Sequence, residues 1–290
     1  MLILRTMLSI PGNQERKIDK ARQVPADVLR LDLEDSVPVT EKESARKIVT
    51  TSITQLAASG RTVFVRINSL PTPFAKEDIR AVVMPGLKGI CLPKSESADD
   101  MRQADVMIIQ AEKEAGLQVG AIGLVGVIES PKGVINAYEI ARACPRIIAI
   151  AFGAEDYALE MGIDRTREGA EISYPRMAIA VACHAVNVVA IDCVYPDVRD
   201  KEGLIADTKL AKQMGFQGKL VIHPDQVEPV NQIFVPSEEE IAEARRIVAA
   251  FDAATKQGLA SVSVDNKMVD TPVAERARLL LARAGKIKNR

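Results

Sequence analysis

The stretch Ile147-Ile-Ala-Ile-Ala-Phe152, followed at once by Gly153-Ala-Glu-Asp156, decides the fold. Six apolar residues without polar alternation fit a parallel strand covered by helices, and the run stops abruptly at carboxylates. Seven further β-rich runs resemble it: Leu4–Ile10, Val28–Leu33, Thr62–Ile67, Gly89–Pro93, Ile122–Ile128, Ala190–Tyr195 and Leu220–Ile222. The eight runs start on average about 31 residues apart, the length of one βα unit. Helical spacing lies between them, as at Met101, Ala104, Ile108 and Ala111 within Ser97–Glu114, and at Leu204, Thr208, Ala211 and Met214. Gly116, Gly120 and Gly215 mark helix exits, and Thr40-Glu-Lys-Glu43 predicts a capping box. Eight strands alternating with helices predict an α/β chain, a (β/α)8 TIM barrel. No G-x-G-x-x-G follows the first strand, which argues against an open dinucleotide-binding sheet.

Beyond the last strand the pattern changes. Ser237-Glu-Glu-Glu240 predicts a second capping box, with a helix through Ala242, Ile247, Val248 and Phe251 to Gly258. Ala260–Val264 and Lys267–Val269 predict a hairpin around Asp265-Asn266, and Pro272 opens a last helix. The expected organisation is a catalytic barrel over residues 1–236 and a helix–hairpin–helix extension over 237–290, serving as a lid or oligomerisation element.

Bulk properties exclude several classes. A formal net charge of −1 gives no basic surface for nucleic acid. The apolar opening is broken by Arg5 and ended by Pro11-Gly12, too short to span a membrane and unlike a signal peptide. Four dispersed cysteines, with no C-x-x-C pair, predict free thiols in a reducing cytoplasm. With two histidines in the chain, a metal site must be built mainly from oxygen, which points to a hard cation such as Mg2+.

In such barrels the working residues stand at the carboxyl ends of strands. Those ends read Leu31-Asp-Leu-Glu34-Asp35, Val65-Arg66-Ile-Asn68, Leu92-Pro-Lys94, Ile128-Glu129-Ser130, Phe152-Gly-Ala-Glu-Asp156 and Ile222-His223-Pro224. Each has a structural alternative: Glu129 favouring a helix start, Asp156 capping a helix, Arg66 in a salt bridge. Together, Arg66, Glu129 and Asp156 are expected to converge on one mouth, where a cation and a bound anion neutralise them. His223, before a proline, is more readily structural than catalytic, and His184 is expected as a satisfied core or interface histidine. Lys94 opens a Schiff-base alternative. No G-x-S-x-G elbow supports serine hydrolase chemistry.

At these residues, and at Arg5-Thr-Met-Leu-Ser-Ile-Pro-Gly-Asn13, Gly218-Lys-Leu-Val-Ile-His-Pro224 and Val264-Asp-Asn-Lys-Met-Val-Asp270, the chain resembles the citrate lyase β-subunit family. That family includes malyl-CoA and citramalyl-CoA lyases and belongs to the wider HpcH/HpaI aldolase group. Asn266 stands where many relatives carry glycine. The resemblance implies a Mg2+-dependent lyase that cleaves a 3-hydroxyacyl-CoA to acetyl-CoA and a 2-keto acid. Glu129 and Asp156 match metal ligands, with Glu129 also against substrate. Arg66 matches a residue on the substrate oxygens, and Glu34 and Asp35 match carboxylates supporting the metal through water. Arg16 and Lys20 fall where relatives hold the CoA phosphates. Asp270 matches an acid/base aspartate carried on a mobile lid to a neighbouring subunit, which implies a homo-oligomer, trimer or hexamer. The alternative is a citrate lyase β-subunit acting on citryl-acyl-carrier protein in a larger complex. The tail with Asp270 is associated more with the free CoA enzymes.

Overall fold

The first strand pairs with both the second and the last, and this closes the sheet. The computed structural model describes residues 2–288. Its barrel strands are β1 Thr6–Pro11, β2 Val28–Asp32, β3 Val63–Arg66, β4 Leu87–Leu92, β5 Gly123–Ile128, β6 Ile147–Phe152, β7 Val189–Asp192 and β8 Gly218–Val221. They run in sequence order, all parallel, as a closed eight-stranded barrel with helices between. Each expected strand is present, with ends displaced by a few residues. The chain divides into two compact units, one running to Asn231 and the other starting at Gln232.

Inside the barrel, residues two apart on each strand share a face. Met7, Val28, Phe64, Cys91, Val125, Val127, Ala149, Ala151, Ile191 and Leu220 form one buried cluster. Close packing fixes the entry of β8: a Cβ on Gly218 would lie 1.7 Å from the Leu4 carbonyl oxygen, so only glycine fits. The four cysteines are free. No helix among the described residues is long and apolar enough to cross a membrane.

One expected cap is absent. After Pro38 the chain enters a 3-10 turn at Val39–Glu41, which places Thr40 inside the helical run rather than at its start. The following helix, Lys42–Ala58, begins without a side-chain cap, and Glu43 pairs with Lys47 instead. Lys42 turns inward and donates to the Leu33 and Glu34 carbonyls, both at 2.7 Å, which fixes the loop after β2. The unexpected capping box is Ser97 with Asp100, at the head of the helix Ala98–Glu114.

The second unit has its own small core. The helices Glu238–Lys256 and Thr271–Lys288 pack with the hairpin β9 Val262–Val264 and β10 Lys267–Val269 around Phe251, Val269 and Ala274. Ser237 and Glu240 form the expected capping box. Asp265 and Asn266 both take positive φ, 48° and 61°, as a tight hairpin turn of this twist requires. Asp270 stands at the head of the last helix, where its Oδ1 accepts from the Val273 amide at 3.3 Å.

Candidate active site

The carboxyl ends of the barrel strands open into a cavity of about 630 Å3. Arg66, Glu129 and Asp156 all line it, with Asp32, Asp35, Ser9, Arg30 and the rim lysines Lys17 and Lys20.

Glu129 follows β5 and is 4% exposed. Its Oε1 accepts from the Lys94 amide at 2.7 Å. Gly153, after β6, leaves room for the other oxygen: a Cβ there would lie 2.6 Å from Oε2. The helix-start duty falls to Ser130, whose Oγ accepts from Gly133 at the head of Pro131–Ile135. Asp156 lies in the first turn of the helix Ala154–Met161 but caps nothing; among the described residues its side chain has no hydrogen bond or ion pair. Burial, and then the neighbouring Asp156 charge, push the Glu129 carboxyl up to about 7. Two carboxylates thus face one cavity, and among the described residues no protein cation forms an ion pair with either.

Arg66, at the end of β3, behaves differently. Its Nε and Nη2 donate to the two oxygens of Asp32, both at 2.7 Å, a forked pair. Its Nη1 donates to Asp35 at 3.1 Å and lies 3.0 Å from Glu34 Oε2, without hydrogen-bond alignment. Arg66 is therefore in the salt bridges that its structural reading allows, with protein carboxylates meeting its charge. Asp32, given no role from sequence, is the partner that fixes it. Asp32 also accepts from the Glu34 amide and from Ser36, and Arg66 and Ser36 hold its carboxyl well below the usual carboxylate range against burial. Glu34 is buried and does not line the cavity; burial outweighs the attraction of Arg66 and raises its carboxyl to about 8.

The remaining candidates sort by position. Lys94 is exposed, outside the cavity lining, and held at φ 51°, so its backbone amide rather than its amine serves the site. The Schiff-base alternative loses its lysine. His223 lines the cavity and caps the next turn through Nδ1, which accepts from the Asp225 amide at 3.2 Å. His184 is exposed rather than in the core, and its Nε2 meets the Gly215 carbonyl at 2.8 Å. On the first helix, Glu15–Ala21, the residues on the cavity are Lys17, Lys20 and Ala21; Arg16 is exposed and off the lining. Asp270 belongs to the second unit and is half-buried.

The donor set suits a hard cation that keeps water. No cluster of three or more His, Cys, Asp and Glu that could hold a metal occurs among the described residues. Glu129 and Asp156 offer two oxygen ligands, and a Mg2+-type ion held by one or two carboxylates leaves its other positions to water and substrate.

A parallel barrel whose mouth gathers an arginine and an unneutralised carboxylate pair is the frame of a metal-assisted lyase. The model of the HpcH/HpaI aldolase/citrate lyase family matches residues 5–224, and the chain belongs to that family of lyases. It is 41% identical over 277 residues to citrate lyase subunit beta of Leuconostoc mesenteroides subsp. cremoris, covering 96% of this chain and 92% of that one. It is 33% identical to a (3S)-malyl-CoA thioesterase of Cereibacter sphaeroides, covering 97% and 94%. Among solved structures it is similar to protein CitE of Mycobacterium tuberculosis in complex with magnesium, acetoacetate and coenzyme A. That match has 30% identity and a TM-score of 0.76, covering 97% of this chain and 98% of that one. The citrate lyase subunit aligns along 96% of this chain, and so along most of the tail; possession of a tail does not separate the two kinds of relative.

Proposed function

We propose that the chain is a Mg2+-dependent lyase acting on a 3-hydroxyacyl thioester of coenzyme A, of the malyl-CoA or citramalyl-CoA type, and releasing acetyl-CoA and a 2-keto acid. The observation that carries the reading is the pair Glu129 and Asp156, two carboxylates on one cavity with no protein cation between them. They are the residues that would hold the ion, and magnesium together with coenzyme A is named in the mycobacterial relative's complex. When bound, Mg2+ supplies Lewis acidity to the carboxylate and hydroxyl oxygens of the substrate.

The bond that breaks joins the carbinol carbon to the carbon α to the thioester. Its electron pair goes to the thioester as an enolate while the hydroxyl gives up its proton and becomes the keto group; one proton is returned at the enolate carbon, so the cleavage is proton-neutral overall. Arg66 uses three of its five N–H donors on Asp32 and Asp35, and those that remain stabilise charge developing on the thioester oxygen. Asp32, Glu34 and Asp35 hold that guanidinium in place. Lys17 and Lys20 set positive charge at the rim against the anionic coenzyme, with Arg16 further out on the same helix. Asp270 exchanges the proton at the enolate carbon, brought by a neighbouring subunit of a homo-oligomer, trimer or hexamer. Residues 237–290 are then the lid that closes over the reaction and excludes water. Run backward, the reaction is a Claisen-type condensation in the cytoplasm.

The second reading, a citrate lyase β-subunit working on citryl-acyl-carrier protein, is favoured by the 41% identity to such a subunit. One experiment separates the two. The protein is incubated with acetyl-CoA, Mg2+ and, separately, glyoxylate, pyruvate or oxaloacetate, and the products are weighed by mass spectrometry. A Mg2+-dependent hydroxyacyl-CoA product supports the first reading. No product with CoA, together with co-purification of an acyl-carrier protein, overturns it in favour of the second.

A further inference from the structure

One cationic side chain of the cavity has no ion-pair partner among the described residues. Arg30 stands in the middle of β2, in the run Val28-Leu-Arg-Leu-Asp32, and the alternation that turns Val28 and Asp32 into the barrel turns Arg30 there as well. It is 4% exposed and lines the same cavity as Glu129 and Asp156. Its Nη2 donates to Ser9 Oγ at 2.5 Å, and Nε is buried without a partner. The Cys91 thiol lies beside it, and among the described residues no carboxylate forms an ion pair with it. Burial, and then the nearby Arg66 guanidinium, lower its pKa below the ordinary arginine value.

The contrast with Arg66 gives this meaning. Both guanidinium groups face one cavity; Arg66 is in ion-pair contact with three carboxylates, whereas Arg30 donates to a hydroxyl and feels Asp32 and Glu129 only at longer range. An unpaired buried cation costs several kcal/mol, so a fold that keeps one at the wall of a cavity gains most when an anion enters. A guanidinium fork matches a carboxylate in shape and charge, which an ammonium does not.

We propose that Arg30 is a substrate-recognition residue that receives a second carboxylate of the keto-acid unit, so that the enzyme prefers dicarboxylic over monocarboxylic 2-keto acids. The inference rests on the lyase reading of the same cavity but moves its acyl group from the malyl-CoA or citramalyl-CoA type, whose keto acids carry one carboxylate, to the citryl-CoA type, which releases oxaloacetate. The substrate's first carboxylate and hydroxyl would meet the cation that Glu129 and Asp156 would hold; Arg30 supplies a separate positive point on β2, next to Ser9 of β1.

The test compares the unaltered protein with Arg30→Met and Arg30→Lys. Condensation of acetyl-CoA with oxaloacetate and with pyruvate is measured in the presence of Mg2+, and calorimetry follows binding of each keto acid without turnover. The unaltered protein is expected to favour oxaloacetate. Arg30→Met should lower the oxaloacetate-to-pyruvate ratio of kcat/KM at least about tenfold, chiefly through KM, as loss of one charge-assisted pair implies. Arg30→Lys should restore part of that ratio, which a purely structural arginine would not do. An unchanged ratio in Arg30→Met, or an unaltered protein that prefers pyruvate, overturns the proposal. If neither acid condenses, the lyase reading fails and binding decides: oxaloacetate affinity lost in Arg30→Met upholds the recognition role, and unaltered affinity overturns it.

Discussion

Two groups of charges stand near the ends of barrel strands, and they are built to opposite rules. Around the end of β7, Arg176 and Lys219 meet Asp192 and Asp207 in a closed set. Arg176 donates to Asp192 at 2.7 and 2.9 Å, and Lys219 donates to Asp192 at 2.5 Å and to Asp207 at 2.6 Å. Arg176, Lys219 and Asp192 are fully buried, two cations face two carboxylates, and none of the four lines the cavity. Around the ends of β5 and β6, Glu129 and Asp156 face each other's charge, and among the described residues neither has an ion pair with a protein cation. A carboxylate at a strand end is therefore not in itself a functional signal. Imbalance is: the β7 set is complete within the chain, whereas the β5–β6 pair needs something from outside.

That difference can be broken experimentally. The largest expected effect on stability lies in the closed set. Arg176→Met leaves Asp192 with half its compensation, and breaking a buried pair costs about 3–5 kcal/mol, read as a fall in the denaturation midpoint. A loss under 1 kcal/mol would mean that the set is not the structural element its geometry indicates.

Glu34 tests the β2–β3 side of the mouth. Its folded carboxyl is raised to about 8, above the ordinary 4.5, so between these values the folded chain holds a proton that the unfolded chain has lost. This contribution to stability is complete below the unfolded pKa and is lost as pH rises through about 8. The slope is at most about 1.4 kcal/mol per pH unit. Thermal denaturation at pH 6 and pH 8.5 should show a smaller pH-dependent loss in Glu34→Gln than in the unaltered protein. An equal loss would remove Glu34 as the buried acid.

The smallest effect belongs to the second unit. Asn266 holds φ 61° in the hairpin turn, a conformation that glycine adopts without strain. Asn266→Gly should stabilise the chain by about 0.5 kcal/mol in chemical denaturation. A destabilisation would indicate that the asparagine side chain has work in the turn beyond setting its shape.

Much of this was legible in the sequence because it rests on local pattern. Eight apolar runs at βα spacing gave the barrel, and polar residues at their ends marked the mouth. Ser237-Glu-Glu-Glu240 forms its box because Ser237 stays extended, with φ −69° and ψ 161°, and the helix starts at the next residue. Thr40-Glu-Lys-Glu43 does not, because the chain after Pro38 is already turning. What pairing decides was not legible. Asp32 and Asp35 both appear as carboxylates near one strand end, but only the barrel register, with Asp32 opposite Arg66, shows which takes the guanidinium fork. The use of Gly153, the space it leaves for Glu129, shows only once β5 and β6 stand side by side. Lys17 is told from Arg16 only by the placement of the helix. Arg30 did leave a signal: a lone cation two residues before Asp32 in an apolar strand shares its inward face, and parity alone places it there.

The central claim is that the unbalanced pair is the site, and Asp156→Asn tests it most directly when turnover and stability are measured on the same sample. Removing one of two facing carboxylates relieves repulsion, so the melting temperature should hold or rise. Mg2+-dependent formation of hydroxyacyl-CoA from acetyl-CoA and the preferred keto acid should fall by on the order of a thousandfold, the scale of several kcal/mol of charge stabilisation. Full Mg2+-dependent turnover in Asp156→Asn, or a loss of stability as large as that of Arg176→Met, would contradict the account.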